Sequence, residues 1–229
     1  MPRSTMVIAA HPDDEALGCA GTLARHVAGG DTVHVVFLTN GVDARGEVEQ
    51  SASGIRHQAA EQALEHLGIT QAMYLDFPDN KLDSVPLLDV VQAIEPLIFA
   101  AQPDIIYTHH LGDLNVDHQV AHKAVLTACR PIPGQQVAQI YAFEVLSSTE
   151  WQGPGGIPFV PNHFVEITQQ MPQKACALEA YGLEMRDPPH SRSISHALTL
   201  AEHRGQSVGV PAAEAFVVLR SLELAAGSS

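Results

Sequence analysis

The sequence predicts a doubly wound α/β fold built on a mostly parallel sheet, and three observations carry that expectation. Short apolar runs of strand length alternate with longer stretches of helical periodicity through residues 6–145. Turn-forming residues follow those runs, as at Pro12, Gly41 and Pro78. The two polar clusters richest in chemistry come directly after apolar runs, and open α/β sheets place their ligands at the carboxyl ends of strands.

The first run, Met6 to Ala10, is a buried strand, followed by His11, Pro12 and the carboxylates of Asp13, Asp14 and Glu15. Leu17, Ala20, Ala24 and Val27 then line one face of a helix. Val33 to Leu38 is a second strand ending in the turn Thr39-Asn40-Gly41, and Ile55 to Leu67 is a helix stopped by Gly68. Met73 to Phe77 is a third strand leading into Pro78-Asp79-Asn80, and Leu87 to Ala100 is a third helix. Asp104 to Thr108 is a fourth strand, Val116 to Cys129 a fourth helix and Gln139 to Val145 a fifth strand. This order predicts a three-layer, Rossmann-like core over about residues 1–145.

Beyond Pro131 the regularity loosens. Gly153 to Pro158 is a loop, Phe164 to Ile167 a short strand, and Lys174 to Glu184 and Ser193 to Arg204 are helical. Ala215 to Leu219 is a last strand, and the Gly-Ser-Ser tail frays. We expect this stretch, about residues 146–229, to be an extension that shapes a pocket, within one domain spanning 1–229.

Composition narrows the partners. A net charge of −14 argues against nucleic acid and anionic membrane surfaces. It leaves room for a phosphorylated substrate, which a cation and a few arginines bind locally. No apolar run has the length of a membrane span, and Met1 to Thr5 is too short for a signal peptide. Cys19, Cys129 and Cys176 are widely spaced, as free thiols of a reducing cytoplasm would be.

His11 and Asp14, three apart on one turn, can point at the same spot and make two-thirds of a facial His/His/carboxylate set suited to Zn²⁺. Asp13 is then free to act on a water as general base. The blander alternative is that the acids only cap a helix. A second cluster follows the fourth strand: His109, His110, Asp113, Asn115, Asp117 and His118, with His122 one turn on. Strands one and four are neighbours in such a sheet, and the crevice between their carboxyl ends is the switch point. His118 is the third ligand, held in the first turn of a helix that Asn115 caps, and His122 is its competitor. His109 and His110 straddle a strand end, so their side chains diverge and at most one faces the metal.

Ala10-His11-Pro12-Asp13-Asp14-Glu15 and Asp113-Leu114-Asn115-Val116-Asp117-His118 together resemble the PIG-L/LmbE family of zinc-dependent N-deacetylases. Phe77-Pro78-Asp79-Asn80, Arg204-Gly205 and Ala213-Glu214-Ala215-Phe216 add to the resemblance, which spans nearly the whole chain. It implies one Zn²⁺ per chain on His11, Asp14 and His118, other divalent metals being able to use the same donors, with Asp13 as general base. It also implies removal of acetyl from an N-acetylated amino sugar or conjugate of N-acetylglucosamine type. Family members often form homo-oligomers; the sequence leaves that state open.

The family usually has a histidine, for oxyanion stabilisation or proton donation, where this chain has Asn115. An amide donates a hydrogen bond but delivers no proton, so the general acid is sought in Asp13 first, then His110 and His190. The resemblance makes Arg56 a contact to the sugar or its phosphate, with a solvated surface charge as the alternative. Asp79 and Asn80, on the same sheet edge, are candidates for substrate hydroxyls; His190 and Arg192, beyond Pro188-Pro189, are candidates for an anionic group. Trp151 is a stacking face or core. The rival activities are cleavage of a larger amide conjugate, metal phosphoesterase chemistry, and a metal-stabilised binding module that would close a four-ligand shell.

Overall fold

Strands β1 (Ser4–Ala9), β2 (Thr32–Thr39), β3 (Gln71–Phe77), β4 (Ile105–His109) and β5 (Gln139–Phe143) run parallel in the computed structural model. The structure describes residues 2–39 and 50–223, so the expected turn at Asn40-Gly41 and the Gly-Ser-Ser tail lie outside the described residues. Strand β7 (Ala213–Ser221) pairs antiparallel with β5, and β6 (His163–Glu166) antiparallel with β7. The order across this seven-stranded sheet is β3-β2-β1-β4-β5-β7-β6, which places β1 beside β4 at the point where the winding reverses.

β1 is apolar from Met6 to Ala9 because both of its faces are covered there. Val7 and Ala9 join one core with α1 (Asp14–Ala28) and α2 (Gln50–Leu67). Met6, Ile8 and Ala10 join a second core with α3 (Leu87–Ala101) and α4 (Val116–Ala128). The two cores lie between the central sheet and the helical outer layers of a three-layer α/β sandwich.

The C-terminal stretch was expected as an extension, and it enters the sheet itself. β7 lies between β5 and β6, and α5 (Met171–Ala180) packs against α1 and α2, with α6 (Ile194–Gln206) against α5 and β7. The last strand is longer than periodicity suggests, because it has a partner on either side. α5 starts three residues earlier than expected, at Met171, since Pro172 suits a helix's first turn. It also ends earlier, at Ala180, where Tyr181 leaves the helical path and buries its ring.

Candidate metal centre

The turn after β1 is wound tightly. Asp13 has φ 114°, a left-handed backbone that a non-glycine residue rarely adopts. Its carbonyl accepts from the amides of Ala16 and Leu17, and its own amide donates to Glu15 Oε2 at 3.1 Å. Backbone strain of this kind is kept where the surroundings over-determine it, often at functional sites. Glu15 is fully buried, takes a 2.7 Å hydrogen bond from Tyr181 Oη, and is pushed up to about 8 by that burial.

The turn places His11 and Asp14 against His118. Asp14 Oδ2 lies 3.1 Å from His11 Nδ1 and 3.3 Å from His118 Nε2, and the two nitrogens are 3.3 Å apart. With metal bonds of about 2.0–2.1 Å, a tetrahedral zinc site spaces its ligands by about 3.3–3.4 Å, so the three donors fit one cation. Asp14 Oδ1 is buried without a hydrogen-bond partner, leaving its lone pairs uncommitted. All three residues are buried: His11 is 6%, Asp14 1% and His118 1% exposed.

Each imidazole has a carboxylate behind it, the usual device for fixing a ligand's tautomer and orientation. His11 Nε2 lies 3.1 Å from Asp79 Oδ1 and 3.1 Å from Asp117 Oδ2. His118 Nδ1 lies 3.1 Å from Asp113 Oδ1, and Asp113 is held by the hydroxyls of Ser148 and Thr149. Asp117 is fixed by the amides of Asn80 and Leu82, at 2.7 and 2.9 Å. Burial disfavours a charged His118, but the Asp14 and Asp113 carboxylates outweigh it and raise the imidazole to about 9. Burial opposes ionisation of Asp14 too, but the surrounding imidazoles hold its carboxyl well below the usual range.

A second group able to hold a cation, His11 with Asp79 and Asp117, shares His11 with the first. Serving both at once would need an imidazole bridging two ions, so the described residues favour one cation. That weakens the two-metal phosphoesterase alternative.

The remaining candidates scatter in instructive ways. His109 turns into the centre: its Nε2 accepts from the Ala10 amide at 2.8 Å, lies 3.4 Å from Asp14 Oδ2, and its ring stacks on His118 at 3.9 Å. His110 does not come to the cluster. Its Nε2 lies 3.0 Å from the Ile157 carbonyl and its ring meets Phe159 edge-on, because successive side chains of an extended segment leave on opposite sides. His122 Nδ1 donates to the His109 carbonyl at 2.8 Å and stands outside the triangle. Asn115 is occupied as well: its Oδ1 accepts from the Asp117 amide at 2.8 Å, capping α4, and its Nδ2 donates to Asn80 Oδ1 at 3.2 Å. Asp79, expected to meet substrate, is 2% exposed and turned to His11, with Asn80 beside it linking to Asn115.

Arg192 is the distant residue that reaches the turn. Its Nη1 donates to Asp13 Oδ2 at 2.9 Å and its Nε to Ser147 Oγ at 2.8 Å. Burial pushes the Asp13 carboxyl up, and the Arg192 and Arg56 charges pull against it. Arg56 itself pairs with Glu184 at 2.6 Å. His190 is exposed on the rim, where its ring meets the half-exposed Trp151 edge-on at 5.6 Å. Sequence reasoning gave no role to Asp117, Asp113, Glu15 or Tyr181. The first two were legible as carboxylates flanking His118 in one short motif; nothing local marks Tyr181.

Two carboxylate-backed imidazoles and an aspartate, buried at the switch point of a doubly wound sheet, define an α/β protein able to hold a divalent cation at the strands' carboxyl edge. The chain belongs to the PIG-L family, whose model, described as GlcNAc-PI de-N-acetylase, matches residues 6–129. It is 31% identical over 175 residues to a protein of Escherichia coli (strain K12) called uncharacterized deacetylase YaiS, covering 73% of this chain and 84% of that one. It is 30% identical over 186 residues to the 1D-myo-inositol 2-acetamido-2-deoxy-alpha-D-glucopyranoside deacetylase of Mycobacteroides abscessus, covering 69% of this chain and 66% of that protein. The fold is also that of GalB, the 4-carboxy-2-hydroxymuconate hydratase of Pseudomonas putida KT2440, with TM-score 0.76, 22% identity, and 98% and 100% of the two chains covered.

Proposed function

We propose that this chain is a cytoplasmic, zinc-dependent N-deacetylase that hydrolyses the acetamide of an N-acetylglucosamine-type sugar or conjugate. The observation that carries the reading is the buried triangle of His11, Asp14 and His118 with Asp13 beside it and outside it. A binding module would have no use for a spare buried carboxylate. The family match and the deacetylases among its relatives support the reaction class.

In this reading His11, Asp14 and His118 hold the cation, which when bound supplies Lewis-acid polarisation and an activated water. Asp13 accepts the proton of the attacking water. It then carries that proton to the leaving amine, a step an amide requires because its nitrogen leaves poorly unprotonated. Assigning the acid to Asp13 as well is supported by the placing of the alternatives: His110 is turned to Ile157, and His190 stands on the exposed rim beside Trp151. Arg192 holds the Asp13 carboxylate in place with a charge-assisted hydrogen bond. Arg56 and His190 line the approach to Asp13 as candidate contacts to the sugar or its substituent.

A second reading, cleavage of a larger amide conjugate, draws on the exposed rim at Trp151 and His190, which leaves room beyond a single sugar. One experiment serves both: amine and acetate release by the zinc-loaded protein, across simple N-acetylated sugars and bulky amide conjugates. Acetate release from the simple sugars is the expected result. Full zinc content with no amide cleavage across the panel would overturn the proposal and point to water addition, the reaction named for the Pseudomonas structure.

A further inference from the structure

Helix α1 is broken one turn after Asp14. Cys19 has φ −150° and ψ 16°, outside helical values. In an unbroken helix the amides of Ala20 and Gly21 would bond the carbonyls of Ala16 and Leu17. Lys174 Nζ instead donates to both carbonyls, at 3.1 and 3.0 Å. On the far side of the break, the amides of Gly21 and Thr22 donate to Glu214 Oε1 and Oε2, at 3.0 and 2.7 Å. The two side chains meet each other at 2.6 Å, and are only 2% and 5% exposed.

The polarity is matched to the helix. The short segment Asp14–Gly18 ends in carbonyls and meets an ammonium; the long segment Ala20–Ala28 begins in amides and meets a carboxylate. Each charge caps one of the two ends that the break creates. The long segment belongs to the core shared with α2 and α5, so its direction is set by packing. The short segment carries Asp14 and follows the strained Asp13, and its direction depends on what spans the break.

Both partners come from the C-terminal stretch: Lys174 from α5 and Glu214 from β7. Gly205 belongs to the same arrangement, because a Cβ there would meet Ala212 Cα at 2.5 Å. α6 therefore packs directly on the chain entering β7, which sets where Glu214 begins its reach to α1. A buried ion pair is weak grounds for stability, since apolar residues of similar volume usually serve as well or better.

We propose that Lys174 and Glu214 are a positioning pair, spanning the break in α1 and thereby holding the Asp13–Asp14 turn against His118. The proposal rests on the reading that Asp14 holds the cation and Asp13 handles the proton.

The experiment compares wild type with the apolar double variant Lys174→Met/Glu214→Leu and the charge swap Lys174→Glu/Glu214→Lys. Zinc affinity is measured by chelator competition, and kcat and KM on the best substrate. Amide exchange is followed at Ala16 and Leu17, whose N–H groups bond the Asp13 carbonyl. The apolar double variant should fold cooperatively yet bind zinc about tenfold or more weaker, with kcat reduced and KM little changed. Amides 16 and 17 should exchange faster in it. The swap keeps an ion pair but sets a carboxylate against carbonyls and an ammonium against amides, so it should not recover any of the three. Wild-type protection of amides 16 and 17 in the apolar variant, or recovery by the swap, would overturn the proposal. Exchange needs no metal, so it decides even if wild type binds no zinc, an outcome that would count against the metal reading alone.

Discussion

Arg192 Nη1 donates to Asp13 Oδ2 across 2.9 Å, although the two residues stand 179 positions apart in the chain. The bond ties the loop after α5 to the strained turn after β1 and puts a fixed positive charge on the carboxylate proposed as the base. Replacing Arg192 with Ala should lower kcat/KM by about 10–100-fold, the cost of one charge-assisted hydrogen bond. Arg192→Lys should recover little, since one ammonium does not reproduce the guanidinium's two contacts, to Asp13 and to Ser147. Steady-state kinetics with metal analysis test this; loss of metal in Arg192→Ala would show the effect to be structural.

Asp13→Asn should keep its metal, because Asp13 lies outside the triangle. Turnover should fall by about 10²–10⁴-fold, since an amide accepts no proton. Near-normal turnover in this variant would remove Asp13 from the mechanism.

Removing any member of the triangle should remove the metal. His11→Ala, Asp14→Ala and His118→Ala should each retain little zinc after dialysis, whereas His122→Ala should retain it, its ring being spent on the His109 carbonyl. Chelator treatment of wild type should abolish activity, and added Zn²⁺ should restore it. A His122→Ala protein that loses zinc while His118→Ala keeps it would refute the ligand set.

Asp117 and Asp79 share His11 Nε2, but among the described residues only Asp117 also collects two backbone amides. Asp117→Asn sets an amide nitrogen among donors, so it should cost about 1–3 kcal/mol of stability. It should also weaken metal binding by about 10–100-fold. Asp79→Asn should weaken metal binding with less effect on stability. Equal denaturation midpoints for the two variants would show that the two backbone amides on Asp117 add nothing to stability.

Asn115→Ala should act chiefly through α4, removing a cap worth about 1 kcal/mol. Chemical denaturation measures that loss. If Asn115 instead served the reaction directly, kcat would fall at unchanged stability. His110→Ala should leave the shape of the rate–pH profile unaltered, its imidazole being engaged with Ile157.

The sequence by itself determined the fold class and where on it to look. Strand-length apolar runs alternating with helical periods require covered parallel strands, and a His/Asp cluster directly after such a run stands at the sheet's carboxyl edge wherever the neighbours lie. His11 and Asp14 on one turn, and Asn115 capping the helix that carries His118, are local relations, set by dihedrals and hydrogen bonds a few residues long. Only the tertiary structure decided the rest. Whether His109 or His110 faces the centre turns on the phase of a strand end; Asp79 and Asp117 meet on one imidazole because β3 and α4 converge there. Tyr181 and Lys174 leave no local trace, and Arg192 and Glu214 were legible only as a loop cation and as part of a motif, since the roles of all four depend on α5, α6 and β7 folding back over α1. Their contacts span 40 to 179 positions, and no short-range pattern encodes a contact that chain packing alone creates.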